Sequence, residues 1–124
     1  MNVDTVPLIY FNSINITSAS ATQGAALYLD GLTTANNEFL NNNFVNSGNG
    51  YACYVTSFTN TPIASSNYNN FYSTSTNLAY WKSTGVISNL STWQSTTSFD
   101  NNSVSYDPLY ASSTDLHANS ANIN

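Results

Sequence analysis

The chain has 124 residues, a formal net charge of −5, and a single Lys with no Arg. So few cations exclude binding to nucleic acid, whose affinity depends on neutralised phosphates, and no apolar run is long enough to span a membrane. Asn, Ser and Thr make up 55 residues, which disfavours long helices because these side chains compete for the backbone. Since 14% of the residues are aromatic, the chain is still predicted to fold, as one domain over residues 1–124.

Residues 8–82 are predicted to form three similar copies of a strand-rich unit. Each copy has an early apolar run, a polar turn and a late apolar run, a pattern typical of short strands. The copies cover residues 8–29, 39–59 and 66–82. The early runs share an Asn followed by an apolar residue, at Asn15-Ile16, Asn43-Phe44 and Asn70-Phe71, spaced 28 and 27 residues apart. A fixed period of this length indicates stacked units that complete each other's core.

Stacking of the early runs predicts two columns of like side chains. The apolar members would fill the interior. The amides beside them would form a structural ladder that shares hydrogen bonds between copies, at Asn15, Asn43 and Asn70.

The late runs align with Ala in third place and an aromatic residue in fifth, as Gly24–Leu29, Gly50–Val55 and Asn77–Lys82. Because strand side chains alternate between faces, the more aliphatic face is assigned to the interior. The fifth-place residues would then point outward as candidates for stacking on sugar rings: Tyr28, Tyr54 and Trp81. This alignment would bury Lys82 without a partner, so the alternative is that Ala79 and Trp81 turn inward.

Residues 83–117 are predicted to form a C-terminal cap. Ser91-Thr92-Trp93-Gln94 has the form of a capping box with Leu90 before it, so a short helix is expected at about residues 91–97. The cap also carries Asp100, Asp107 and Asp115, for which turn roles are favoured over Ca²⁺ binding. Residues 118–124 form a tail for which the sequence offers no anchor.

The repeats resemble the coils of right-handed parallel β-helix proteins, the pectate-lyase-like superfold. From Leu90 onward, the stretches L-S-T-W-Q, D-N-N-S-V-S-Y-D-P-L-Y and T-D-L-H resemble the closing segment of secreted β-helix repeat proteins of Bacteroidetes-type bacteria. This resemblance implies an all-β solenoid of about three to four coils and an extracellular or cell-surface location. No signal peptide is evident at residues 1–7, so we expect a piece of a longer secreted chain.

Candidate catalytic groups are few. Glycoside hydrolysis needs two positioned carboxylates, and the candidates, Asp30 and Glu38, flank one turn without stacking on carboxylates of other copies. Lyases of the superfold use a carboxylate cluster and a base, but Lys82 has no acidic cluster matched to it. For Cys53 a buried hydrophobic role is favoured, because the sole His lies far away in the sequence. We therefore predict no enzyme, no catalytic residue, no metal site and no cofactor.

The favoured function is a non-catalytic module for surface adhesion, a structural stalk or carbohydrate binding. One alternative is the terminal part of a polysaccharide lyase or glycoside hydrolase; another is ice or mineral binding through the pairs Thr59/Thr61 and Thr74/Thr76. Outward aromatic residues could also serve only to stabilise the sheet. A polysaccharide is the expected partner, and self-association through the N-terminal coil is also expected, because its edge strands lack protective charges.

Overall fold

The structure is a computed structural model that describes residues 8–17, 20, 24–30, 37–56 and 62–123. The early part of the chain gives β1 (Leu8–Tyr10), β2 (Ser13–Ile16), β3 (Ala25–Leu29), β4 (Asn37–Leu40) and β5 (Asn43–Asn46). The next strands are β6 (Tyr51–Val55), β7 (Ile63–Asn67), β8 (Asn70–Ser73), β9 (Ala79–Trp81) and β10 (Gly85–Ile87). Helix α1 (Leu90–Thr97) and a short 3₁₀ helix (Ala121–Ile123) follow. Residues 1–7, Thr59 and Thr61 lie outside the described residues.

Parallel pairing organises the strands into three sheets, ordered β1-β4-β7, β2-β5-β8 and β3-β6-β9-β10. Only the β9–β10 pair of these sheets is antiparallel. The chain passes through the sheets in the same order three times, and we call these passes unit 1 (β1–β3), unit 2 (β4–β6) and unit 3 (β7–β9). The mainly β, parallel organisation predicted from the repeats is confirmed, and it is compatible with a parallel β-helix.

Each early apolar run is divided into two strands by a sharp corner. At this corner one residue adopts a left-handed backbone conformation, Phe11, Asn41 or Tyr68, with φ of 56°, 57° and 56°. The corner turns the chain from the first sheet into the second. The predicted start of the third copy at residue 66 is too late, because β7 begins at Ile63.

Turn lengths explain where the predicted alignment between units is wrong. In the second sheet Ile14 pairs with Phe44, so the true offset is 30 residues rather than 28. A two-residue error leaves each side chain on its predicted face, and Ile14 and Ile16 are both half-buried. In the third sheet Cys53 pairs with Ala79, one residue away from the predicted partner, and that error exchanges the two faces.

The C-terminal segment closes the stack at unit 3. Asn89 caps α1 by accepting a hydrogen bond from the Thr92 amide (2.9 Å), so the predicted box at Ser91 is wrong although the predicted helix is present. Trp93 is fully buried, and its ring packs against Phe71 (5.7 Å between centroids) and edge-on against Trp81 (5.5 Å). Helix α1 thus supplies the apolar surface that a further unit would otherwise provide.

Residues 104–120 run back along the stack after the helix. Val104 extends the second sheet by one residue, because its carbonyl accepts from the Phe71 amide (3.0 Å) and its amide donates to the Asn69 carbonyl (2.8 Å). Further on, the amides of Asn119 and Ser120 both donate to the Pro108 carbonyl. The tail is therefore anchored as far as residue 120, by backbone contacts that its side chains do not announce.

Candidate functional site

A row of three tyrosines stands on the outward face of the third sheet. Tyr28 pairs in register with Tyr54, and Tyr54 with Tyr80. The rings are nearly parallel, with centroids 5.6 Å apart between Tyr28 and Tyr54 and 4.5 Å apart between Tyr54 and Tyr80. Tyr51 packs obliquely against Tyr54 at 5.0 Å. We call Tyr28, Tyr54 and Tyr80 the tyrosine row.

Trp81 does not belong to the row, so its predicted outward position is wrong. It pairs with Val55 and is buried, as in the alternative in which Ala79 and Trp81 turn inward. The connection from β8 to β9, residues 74–78, is one residue longer than residues 47–50 in unit 2, and this extra residue shifts the alignment. The same shift exposes Lys82 in the turn before β10 and resolves the conflict raised by its burial.

The geometry of the row determines what it offers to a ligand. Stacked rings cover each other's faces, so their edges meet the solvent, while the outer face of Tyr28 is covered by no aromatic ring of the described residues. Burial, followed by the nearby phenols of Tyr80, Tyr51 and Tyr28, raises the pKa of Tyr54. At neutral pH its hydroxyl is therefore a neutral group that both donates and accepts hydrogen bonds.

The amide ladder exists, but not at the residues predicted for it. Asn43 does pair with Asn70, whereas Asn15 pairs with Val45 because of the two-residue offset. The position that aligns with Asn43 in unit 1 is Ser13, whose hydroxyl lies 3.4 Å from the Asn43 side-chain nitrogen. The Asn70 side chain instead pairs with the backbone of Tyr106 in both directions, at 2.9 Å each.

The interior ladder consists of Asn12, Asn42 and Asn69, each just after a corner residue. The Asn42 side-chain oxygen accepts from the backbone amide of Asn12 (3.0 Å), and that of Asn69 accepts from the Asn42 amide (2.9 Å). Their side-chain nitrogens donate to carbonyls of the preceding unit, at Ile9 and Phe39. These contacts satisfy buried backbone groups that the sharp corner removes from the sheets. The recurring Asn after each corner was the sequence signal for this ladder.

Asp100 ends the ladder at the helical end. Its carboxylate is buried and accepts hydrogen bonds from four side chains, Ser66 (2.9 Å), Asn69 (3.1 Å), Ser103 (2.7 Å) and the Trp93 indole (2.8 Å). A carboxylate that accepts this many bonds inside a protein is a strong structural anchor. Asp100 therefore joins α1 to unit 3, a role that requires no metal.

The other groups considered for catalysis are held separately. Glu38 accepts a hydrogen bond from the Tyr10 hydroxyl (2.5 Å), which raises the pKa of Tyr10, and Asp30 accepts one from Thr56 (2.5 Å). Cys53 is fully buried, and that burial, with a smaller effect of Asp100, raises the pKa of its thiol. Within the described ranges, no three His, Cys, Asp or Glu side chains are grouped closely enough to hold a metal ion.

An open cavity of about 240 Å³ lies at the corner between the first and second sheets. Amide side chains and an exposed tyrosine, Tyr68, line much of it. None of its lining residues is charged. Sequence reasoning missed this cavity because its wall combines corner residues with residues 102–123, which meet only in the folded chain.

Comparison of the chain with protein-family models, curated proteins and solved structures gave no match. No helix in the described part of the chain is long and apolar enough to cross a membrane. The site must therefore be interpreted from its own chemistry.

Proposed function

We propose that this chain is a non-catalytic module of a secreted or cell-surface bacterial protein that binds an uncharged polysaccharide. The observation that carries the proposal is the tyrosine row on the outward face of the third sheet. A sugar ring would stack on the open face of Tyr28, and neighbouring sugar hydroxyls would bind the phenols. Aromatic rings of this kind combine an apolar body with a polar tip, which matches the two kinds of surface on a sugar.

The arrangement of carboxylates supports a non-catalytic role. Asp100 is occupied by four buried hydrogen bonds, while Glu38 and Asp30 each bind a different hydroxyl. A glycosidase needs two carboxyl groups facing one bond at a set separation. The contacts of these three residues serve structure instead.

The proposal includes the finer description of the fold, a right-handed parallel β-helix of three coils that correspond to units 1–3. Three passes through parallel sheets in one order support a helix of strands. Parallel strands joined by crossovers are right-handed in nearly all proteins. In this description residues 83–123 form the cap, as in the secreted β-helix proteins that the sequence resembles.

The test is binding of the full chain to soluble neutral polysaccharides, measured by affinity electrophoresis and calorimetry. Tyr28→Ser should weaken binding about tenfold, the loss expected for one aromatic contact. Tyr106→Ser is the matched control, because Tyr106 is exposed to the same extent as Tyr28, 49%, but lies outside the row. Equal effects of the two substitutions, or the absence of binding to any neutral glycan, would refute the proposal.

The alternative functions have their own tests. Release of reducing ends or unsaturated products from pectin, alginate or neutral glycans, lost in Asp30→Asn, would identify the chain as part of a degrading enzyme. Inhibition of ice growth that depends on Thr74 and Thr76, both exposed, would favour an ice-binding surface.

Self-association is a second proposal, favoured by the edge of unit 1. Among the described residues, β1, β2 and β3 are end strands of their sheets, and none of them carries a charged side chain. Uncharged edge strands are templates for pairing with another chain. We propose that two copies meet head to head at this edge, since Asp100 and α1 occupy the opposite end.

A further inference from the structure

The corner cavity is built from two parts of the chain that are distant in sequence. Asn41 and Tyr68 contribute corner residues of units 2 and 3, while Asn102, Asn122 and Ile123 reach it from the C-terminal segment. The wall is thus closed only when the chain returns after α1. Its uncharged amides and one aromatic ring distinguish it from the tyrosine row, which lies on another sheet.

Three amides at the cavity are available to a ligand. The side chains of Asn41, Asn102 and Asn122 are exposed, and none makes a hydrogen bond to another described side chain or backbone group. The neighbouring Asn42 and Asn69, in contrast, use their amides in the interior ladder. An amide presents a donor and an acceptor side by side, which suits adjacent hydroxyl groups.

Tyr68 combines exposure with an unfavourable backbone conformation. Its side chain is 58% exposed and its φ is 56°. A left-handed conformation is costly for a bulky residue but tolerated by Asn, and Asn41 occupies the equivalent corner of unit 2. Since an Asn would fit the corner with less strain, folding alone does not account for an aromatic residue there. Strained residues of this kind concentrate at functional sites.

We propose that the corner cavity binds one sugar unit of an uncharged oligosaccharide, with Tyr68 stacking on the ring and Asn41, Asn102 and Asn122 binding its hydroxyls. This inference rests on the proposed function and adds a second contact point on a different sheet. The absence of charged lining residues favours a neutral sugar over a uronic acid or a phosphate, which would call for Arg or Lys. The cavity is smaller than the roughly 300 to 1,000 Å³ typical of drug-sized ligands, so the rest of the chain would lie along the surface.

The experiment uses calorimetry of the full chain with cello-, manno- and xylo-oligosaccharides. Tyr68→Asn removes the ring and keeps a residue suited to the corner, so the melting temperature should stay the same or rise. Its affinity should fall about tenfold, whereas Tyr68→Phe should bind as the wild type does. Phe11→Asn is the matched control, because it makes the same change at the corner of unit 1, and Phe11 does not line the cavity.

The outcomes separate this site from the proposed function. Wild-type affinity in Tyr68→Asn, together with weakened binding in Tyr28→Ser, would overturn the corner site and leave the tyrosine row as the binding surface. An equal loss in Phe11→Asn would also overturn it, because the effect would then come from the corner backbone. If the wild-type chain binds none of the oligosaccharides or polysaccharides, both proposals fail. Shifts of the Asn41, Asn102 and Asn122 side-chain amide NMR signals on titration would support the assigned contacts.

Discussion

The two ends of the stack are built from the same kind of strand but reach different degrees of burial. At the unit 1 end, Ile14 is only half-buried and Leu8 is 57% exposed. At the other end the equivalent column position, Phe71, is buried beneath Trp93. The comparison teaches that each unit obtains its core from its neighbour. A helix can replace a missing neighbour where a bulky aromatic side chain covers the last column.

The ends also differ in how their polar groups are satisfied. Asn12, at the unit 1 end of the amide ladder, is exposed, whereas Asn69, at the other end, donates to the buried Asp100 carboxylate. A buried polar network is stabilising only when every member is paired. The closed end should therefore tolerate polar substitutions poorly and the open end should tolerate them well.

The largest expected effect is at Asp100. Asp100→Ala removes an acceptor of four hydrogen bonds, and each buried donor left unsatisfied costs about 1 to 3 kcal/mol. We expect the free energy of unfolding to fall by about 3 to 5 kcal/mol, measured by urea denaturation. Asp100→Asn keeps one oxygen but turns an amide toward the Trp93 indole, so its loss should be smaller.

Asp115→Ala is the control for this prediction. Asp115 is exposed and contacts His117 within the same surface turn, so the substitution should change stability by less than about 0.5 kcal/mol. Similar losses at Asp100 and Asp115 would mean that the carboxylate network does not hold the closed end.

The next effect is expected at Gly50, between units 1 and 2. A Cβ placed there would lie 2.1 Å from the Gly24 carbonyl oxygen, which accepts the Tyr51 amide at 2.7 Å. Gly50→Ala must push β3 away from β6, at a cost of about 2 to 3 kcal/mol. Gly85→Ala is the control: it meets no atom within 4 Å but has a φ of 88°, so it should cost only about 1 kcal/mol. A smaller loss at Gly50 than at Gly85 in thermal unfolding would contradict the close stacking of these units.

The sequence was sufficient for the kind of fold because apolar alternation and turn residues are local signals. It predicted the strands, the parallel stacking and the helix, but treated the spacing between units as nearly constant. In the structure the spacing is 30 and then 27 residues in the second sheet and 26 in the third. The differences reside in the connections between the second and third strands of each unit, whose lengths polar turn sequences do not specify.

The same limit explains which site residues were predicted. Tyr28 and Tyr54 were assigned correctly to the outward face because the connections around β3 and β6 did not disturb their alignment. Tyr80 was exchanged for Trp81 because one extra turn residue reverses every side chain in a strand. Tyr68 gave no signal, since its exposure depends on a corner conformation and on contacts with residues 102–123.

A smaller effect is expected from the open edge of unit 1. If two copies pair head to head, a two-fold axis places their edge strands antiparallel and the assembly closes at a dimer. Leu8→Lys should raise the dimer dissociation constant about tenfold, because it adds a charge to an edge strand. Leu109→Lys, at a site with the same exposure of 57%, should have no effect. Sedimentation velocity over a wide concentration range measures both, and a wild-type chain that stays monomeric at high concentration would show that the edge is not an interface.

The smallest effect concerns Tyr54, midway between the two ends and stacked on both sides. Burial, with the neighbouring phenols, raises its pKa above the usual value of 10.0. As the pH rises through 10, the unfolded chain therefore loses a proton that the folded chain retains, so stability falls with pH. In Tyr54→Phe this contribution is absent, and its melting temperature should decline less between pH 9 and about 11 than that of the wild type. At pH 7, where the phenol is protonated in both states, the linkage makes no difference between them. An equal or steeper alkaline decline in Tyr54→Phe would show that stacking in the row does not shield this hydroxyl.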